Sequence, residues 1–548
     1  MPIKYSSKQA TARLLEIVAL EKSDIIIILI LIIGVGMLSV ATPVAVQSLV
    51  NIVNMGGVMQ PLYVVSFIVF LLLLLSGTLY VLENYIVELI QRRLLVRSAI
   101  EISNKMQTAQ FDLSDNSNPA ELMNRFFDVS TMKKSAATLL TVGSSSLLQG
   151  LIGCIILVFY SFYFVIAVFF LIVTMLIIVF VIGRNGEPTA KAESTVKYEI
   201  AAWLETIAKN LNTFKFYDGK VLVKNRMDAL GSSYLQKRNQ HFKILFFQGM
   251  GGAFLYAFFG TAMLTLGGFL VINGQINLGQ FVAAEMIIFS VLIAFVRVIY
   301  QLEYYYDMLA ALDKVGILQD LPQEDNGTHS IDLNKAIKLT VDMTKSILYD
   351  NHHPLKTVAF EVHPNQSLAI LGAPGTGKTL LSHLITGLQT ASNGVVKYND
   401  IDIRLINLAK VRNHIGFIHR VEIIEGSLLE NIQLGRSSIS LNEISQLIVE
   451  LDLQDVINHL DDGMNTILNP QGRPLSSTQI RKLMLARAIV GRPALMIVNG
   501  ILDELDESSL QNACKILFNP AHHQTLIVLT KYPEIAKRCD QTIHLEEA

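Results

Sequence analysis

The chain has 548 residues, 51% of them hydrophobic and 16% charged, with a formal net charge of −2 and a mean hydropathy of +0.44. That is too apolar for an ordinary soluble protein and implies a membrane domain, while the near-neutral charge argues against a generic nucleic-acid binder. Cys154, Cys514 and Cys539 are too few and too scattered for a disulfide framework or a metal cluster, and read as small core residues.

Apolar runs long enough to cross a bilayer as a helix, about 20 residues, begin near Asp24, Leu62, Leu139, Ser161, Phe247 and Leu278. Six spans are predicted. "SVA" at 39–41 faintly resembles a cleavage site, but the first run lies too far from the N-terminus, is too long and has too many successors to be a cleaved signal peptide. The loops "NMGGVMQP" (54–61) and "NGQINLGQ" (273–280), and "YSFY" between spans three and four, contain neither Lys nor Arg. The segments after spans two and four carry Arg92, Arg93, Arg97, Lys105, Lys133 and Lys134, then Arg184, Lys191, Lys197, Lys209 and Lys215. This is the positive-inside asymmetry. It predicts a multi-pass protein of the inner (plasma) membrane with both termini cytoplasmic.

Those two internal segments are rich in helix formers and are predicted to continue the membrane helices before bending back. "FDLSDNSNPAELMNRF" (111–126) and "WLETIAKNLNTFKFYDG" (203–219) supply the turns. Either they are solvated hairpins or their tips dock onto a cytoplasmic domain. In span six, Glu285 is an ionisable residue within an apolar run, which either faces a substrate cavity or sits near the interface of a tilted helix. Arg297 is expected near the cytoplasmic end, and Trp203 to serve packing at the second turn.

The membrane domain is predicted over residues 1–318, a polar linker over 319–332, and an α/β domain over 333–548, where short strands alternate with helices. The strand "SLAILG" runs into "GAPGTGKT" (372–379) and a helical stretch, which is a phosphate-binding loop in its required context. Gly372, Gly375 and Gly377 let the backbone wrap phosphates, with Ala373, Pro374, Thr376 and Leu380 completing the segment; Lys378 reaches the β/γ oxygens and Thr379 is a candidate Mg²⁺ ligand.

With six spans, long internal extensions and then a P-loop domain, the chain resembles a half-transporter of the ATP-binding cassette (ABC) exporter type, over nearly its whole length. The resemblance implies ATP and Mg²⁺ as cofactors, a homodimer or a heterodimer with a second ABC half-transporter, and coupling roles for "ELMNRFFDV" (121–129) and "WLETIAKNLNTFKFY" (203–217). "ATPVAVQSLVN" (41–51) is similar in style to peptide and toxin exporters of type I secretion, which implies a periplasmic adaptor as a further partner. Tyr349 falls where the family stacks an aromatic on adenine.

Departures follow. The family's metal-linked glutamine is replaced by His419 or Arg420, depending on register. The signature Leu-Ser-Gly-Gly-Gln reads "LSSTQ" (475–479), keeping Ser476 and Gln479 but setting Cβ atoms where glycines let backbone approach phosphate. Asn499 stands at the Mg²⁺-binding aspartate, Gly500 at the water-polarising glutamate, and Lys531 at the γ-phosphate histidine. A shifted register would offer Asp503 and Glu504, although "DELD" (503–506) already fits the family's next loop. The binding half of the site is present and the chemical half is altered. Two expectations result: an exporter subunit whose own site hydrolyses poorly and works with a competent partner, or a non-hydrolysing regulatory or scaffold subunit.

Overall fold

The computed structural model describes residues 7–54, 59–110, 119–325, 327–333, 335–343, 357–390 and 393–545. Tyr349, residues 55–58 of the loop 54–61 and the turn-forming part of the first hairpin lie outside the described residues. Two compact units emerge, one formed by Met1–Gln107 and Ser117–Leu321, the other by Thr108–Asn116 and Pro322–Ala548.

The first unit is helical. Among the described residues, six helical segments are long and apolar enough to cross a membrane: Lys22–Val53, Met59–Gln107, Glu121–Val158, Phe162–Lys209, Gly219–Ile272 and Leu278–Gln319. The second and fifth run for 49 and 54 residues, about 75–80 Å at the rise of an α-helix, against a hydrocarbon core of about 30 Å. They therefore extend well beyond a bilayer. Small residues set the helix contacts: a Cβ on Gly153 would meet Val291 at 2.3 Å, and one on Gly186 would meet the ring of Tyr306 at 2.3 Å. Close approach of this kind is how helices associate where lipid removes the hydrophobic drive. Outside the apolar runs, Arg238 joins the fourth, fifth and sixth segments by bonding Glu193 at 3.3 Å and Glu303 at 3.4 Å.

The second hairpin turn is held by packing. Trp203 is buried, Phe214 meets it edge-on at 5.8 Å, and the Arg226 guanidinium lies 4.5 Å from the ring centroid. Tyr217 and Asp218, with φ of 58° and 52°, turn the chain into the fifth segment.

The second unit is built on a parallel five-stranded sheet: β1 (Ser367–Leu371), β2 (Ile415–Ile418), β3 (Leu495–Asn499), β4 (Thr525–Thr530) and β5 (Gln541–His544). Their spatial order is β5-β1-β4-β3-β2. β1, β3 and β4 are buried at every residue, which is why they read as unbroken apolar runs and not as alternating ones. A separate four-stranded antiparallel sheet includes Leu339–Met343, Val358–Val362 and Val395–Tyr398. Three helices matter for the site: α1 (Lys378–Ile385) after β1, α2 (Ser477–Ile489), and α3 (Glu507–Leu517).

Candidate functional site: the phosphate loop and its surroundings

The loop between β1 and α1 leaves a buried strand and opens at its crown: Ala373, Pro374 and Gly375 are exposed while Thr376 is buried. A side chain on Gly372 would put its Cβ 2.4 Å from Thr376 Oγ1. Gly375 and Gly377 have φ of +93° and +88°, the left-handed region where glycine is the default residue. Thr376 Oγ1 donates to Ala373 O at 3.0 Å, closing the loop from within. The result is a backbone cradle ahead of the free amides at the N-terminus of α1, which fits phosphate.

Lys378 begins α1 and folds its ammonium over the loop, donating to Gly372 O and, at 2.8 Å, to Ala373 O. Burial depresses its pKa; the Asp503 carboxylate opposes this and Lys531 reinforces it. The three charges therefore share one neighbourhood. Thr379 is exposed in the first turn of α1, and Leu380 packs against the core beneath.

At the end of β3, Asn499 is buried, with Nδ2 3.2 Å from Thr379 Oγ1 and 3.5 Å from Ser382 Oγ. Asn499 and Thr379 are brought together, with the amide nitrogen turned to the hydroxyl, and both are neutral, so the pair lacks the carboxylate that oxygen-ligand metal sites normally contribute. Gly500 follows with φ +73°, its N–H donating to Leu529 O at 2.9 Å.

Asp503 is fixed across the end of β4: Thr530 Oγ1 donates to Oδ1, and Lys531 N donates to Oδ2 at 3.1 Å. Glu504 pairs with Arg481 at 2.6 Å, and Asp506 caps α3 by accepting from Ser509 N at 3.1 Å. Hydrogen bonds from Ser508 and Ser509 hold the Asp506 carboxyl well below the usual range. Lys531 lies 4.9 Å from the Tyr532 ring centroid.

Ser476 and Gln479 form a reciprocal cap at the start of α2. Gln479 N donates to Ser476 Oγ at 3.4 Å, and Ser476 N donates to Gln479 Oε1 at 2.8 Å. Their nearest role is thus to begin the helix. His419, just past β2, stacks on Phe417 with centroids 5.0 Å apart and meets His383 of α1 edge-on at 5.0 Å. Arg420 is exposed and bonds Glu422 at 2.5 Å.

Sequence reasoning did not single out His383, Thr530 or Ser382. His383 carries the signal of a buried helix face, but nothing in its spacing pairs it with His419. In the membrane unit, both carboxylate oxygens of Glu285 are buried without a hydrogen-bond partner among the described residues. A Cβ on Gly267 would lie 3.4 Å from Oε1, which places Glu285 at the packing contact between the fifth and sixth segments.

Fold and site together define a multi-pass helical membrane protein with an attached phosphate-loop domain. The sequence matches the ABC transporter transmembrane region over residues 25–295 and the ABC transporter domain over residues 355–505. The chain belongs to the ABC transporter family. It is 22% identical over 374 residues to an uncharacterized ABC transporter ATP-binding protein, YwjA, of Bacillus subtilis, covering 67% of this chain and 65% of that protein. It is 25% identical over 383 residues to the lactococcin-G-processing and transport ATP-binding protein LagD of Lactococcus lactis, covering 68% of this chain and 53% of that protein. The fold is similar to that of a bacterial Atm1-family ABC exporter with ATP bound, at a TM-score of 0.81 and 17% identity, over 96% of this chain and 94% of that one.

Proposed function

We propose that this chain is a half-transporter subunit of an exporter, that it binds Mg-ATP through residues 372–380, and that it hydrolyses ATP poorly in its own site. The observation that carries this reading is the end of β3. Asn499 presents a neutral amide to Thr379, Gly500 presents no side chain, and the nearby acids are already engaged by Thr530, Lys531 and Arg481.

The loop amides and Lys378 bind phosphate; for Lys378 this means exchanging two backbone carbonyls for phosphate oxygens, a stronger, charge-assisted bond. Bound Mg²⁺ would neutralise charge on the β- and γ-phosphates. Thr379 and Asn499 would offer it neutral oxygens. Lys531 adds positive charge on the γ-phosphate side, with Asp503 holding its backbone. None of these groups takes the proton of an attacking water, and phosphoryl transfer depends on such positioning.

In a head-to-tail dimer each site combines one chain's phosphate loop with the other chain's signature. A competent second ABC half would then turn over in the site that uses its own acids with this chain's "LSSTQ". A homodimer would have two altered sites. The membrane is the plasma (inner) membrane, with lipid around the six spans and both termini cytoplasmic. LagD's description makes a peptide one candidate cargo, beside a protein toxin or lipophilic compound, with a periplasmic adaptor as a further partner. A regulatory, non-hydrolysing subunit is the second reading, supported by the same neutral Asn499. Phosphate release by the purified chain in lipid, with and without a competent ABC half and checked against Lys378→Ala, tests the proposal: turnover only with the partner supports it, and Lys378-dependent turnover by the chain alone overturns it.

A further inference from the structure

The fifth and sixth helical segments leave a cavity of about 370 Å³ between them, at the low end of the range for small-ligand pockets, about 300–1,000 Å³. Its wall includes Arg238, Gln248 and Glu303, and further along Met250 and Ile299. The fifth segment becomes continuously apolar near Phe247, and Arg238 lies nine residues before that point, about 13 Å away at the rise of an α-helix. The cavity therefore runs from a charged extension into an apolar run, as an amphiphile lies in one leaflet of a membrane, head at the interface and tail in hydrocarbon.

Gln248 is 1% exposed. Its Nε2 donates to Tyr306 Oη at 2.9 Å, and Tyr306 Oη donates in turn to Gly183 O at 3.3 Å, which fixes the amide with Oε1 at its other end. That oxygen is buried with no hydrogen-bond partner among the described residues. An acceptor left unmet is unfavourable, and an occupant that donates would relieve it.

The charges say what kind of donor fits. Arg238 is shared between Glu193 at 3.3 Å and Glu303 at 3.4 Å, and Lys197 pairs with Glu193 at 3.0 Å. Asp307, one turn on from Glu303, interacts electrostatically with all four of these groups, so three carboxyls stand against two bases. An anion at Arg238 would have to displace Glu303 and lie beside Glu193. A cation meets Glu303, half-exposed, and the rings of Phe242, Phe246 and Tyr300 in the same wall, whose faces attract ammonium groups.

We propose that this cavity binds a small, single-tailed organic cation of the primary alkylammonium class, its head at the polar end, where Glu303 supplies the counter-charge, and its tail along Met250 and Ile299. The volume suits one tail and not the two acyl chains of a membrane phospholipid. That the occupant is cargo rests on the export reading above; the binding itself does not.

The test measures tritiated dodecylammonium bound to the full chain in phosphatidylcholine nanodiscs, without nucleotide and corrected for empty discs. One saturable site per chain is expected. Glu303→Gln removes the counter-charge while leaving Arg238 to Glu193, and should weaken binding at least about tenfold, as loss of a charge-assisted contact implies. Gly249→Leu should abolish it: an added Cβ meets only Tyr300, at 3.8 Å, so the side chain is accommodated and fills the cavity. Unfolding temperature shows whether each variant is folded, and Gly249→Leu carries the test if Glu303→Gln is not. Dodecanol and dodecyl phosphate should not compete, and phosphatidylethanolamine added to the discs should leave the affinity unchanged. No saturable binding, parental affinity in the folded variants, or competition by dodecanol, dodecyl phosphate or phosphatidylethanolamine would each overturn the proposal. These readouts need neither ATP turnover nor a partner chain, so their failure is separate from failure of the export and hydrolysis readings.

Discussion

Restoring both acids, Asn499→Asp with Gly500→Glu, tests the account of the nucleotide site at its centre. The Asn499 amide is 3.2 Å from Thr379 Oγ1 and 3.5 Å from Ser382 Oγ, so an isosteric carboxylate would accept from Thr379 by rotation of its hydroxyl, and from Ser382 only by giving up that hydroxyl's bond to Thr379 O at 2.7 Å. At Gly500 no heavy atom lies within 4 Å of an added Cβ, yet φ is +73°. A side chain there fits in space but adopts a left-handed backbone, at about 1–2 kcal/mol. Losing one essential transition-state contact costs about 3 kcal/mol, or about 10²–10³ in rate. The double variant is therefore expected to release phosphate about 100-fold faster than the parent, short of a full repair because "LSSTQ" and Lys531 remain. Gly500→Ala alone should lower the unfolding temperature by about 2–8 °C with no gain in rate, from the same strain spread over a domain of this size. The assay is phosphate release in lipid, with each variant paired to Lys378→Ala to exclude contaminants. A double variant that folds and binds ATP but gains nothing would refute the assignment of Asn499 and Gly500 as the missing chemistry.

Lys378→Ala should weaken ATP binding by at least about tenfold in calorimetry, since a charge-assisted contact is worth about 1.5–3 kcal/mol; unchanged affinity would remove the loop as the nucleotide site. Asp503→Asn should lower stability by about 1–3 kcal/mol in chemical unfolding by weakening the bonds from Thr530 and Lys531, and equal stability would show that those bonds do not hold the end of β4. His383 titrates near pH 4 when folded and near 6.5 when unfolded, so the unfolded chain binds more protons between those values and the contribution to stability falls as pH drops through that window. Replacing His383 by Asn should therefore flatten the dependence of unfolding temperature on pH between about 4 and 6.5 relative to the parent. Cysteines placed at Gly56 and Asn277 should react with an impermeant reagent from outside, and those at Asn118 and Asn212 should not; the opposite pattern would invert the topology.

Six spans and the phosphate loop were legible because each leaves a long-range pattern in the sequence: runs long enough for a bilayer, and a glycine-rich segment between a buried strand and a helix. The strand before Asn499 was legible as well, being apolar at every position from Leu495 to Val498, and it extends one residue further, through Asn499. What escaped depends on contacts between distant side chains. Nothing local couples His383 to His419, thirty-six positions away, and their meeting requires α1 to reach the end of β2, a strand separated from β1 by β4 and β3 in the sheet. Asp503 could be read as a displaced catalytic acid until Thr530 and Lys531 were seen to hold both of its oxygens. For Ser476 and Gln479 the spacing itself suits a capping box, and the structure forms one at the start of α2.

The charge changes around the phosphate loop act in a common direction on the proposed reading. Two acids are replaced by an amide and a glycine, and a histidine position becomes Lys531, so the neighbourhood of the γ-phosphate gains positive charge. Asp503 offsets part of it, as its opposing effect on Lys378 indicates, but its oxygens are tied to Thr530 and to the backbone of Lys531. Added positive charge holds the phosphates of bound ATP, but without an acid to orient the attacking water it does not supply the positioning on which phosphoryl transfer depends. Tight retention with slow turnover is the consequence. A half-transporter with that property would serve its dimer best by staying loaded, holding the two nucleotide domains together while the partner's acids do the chemistry.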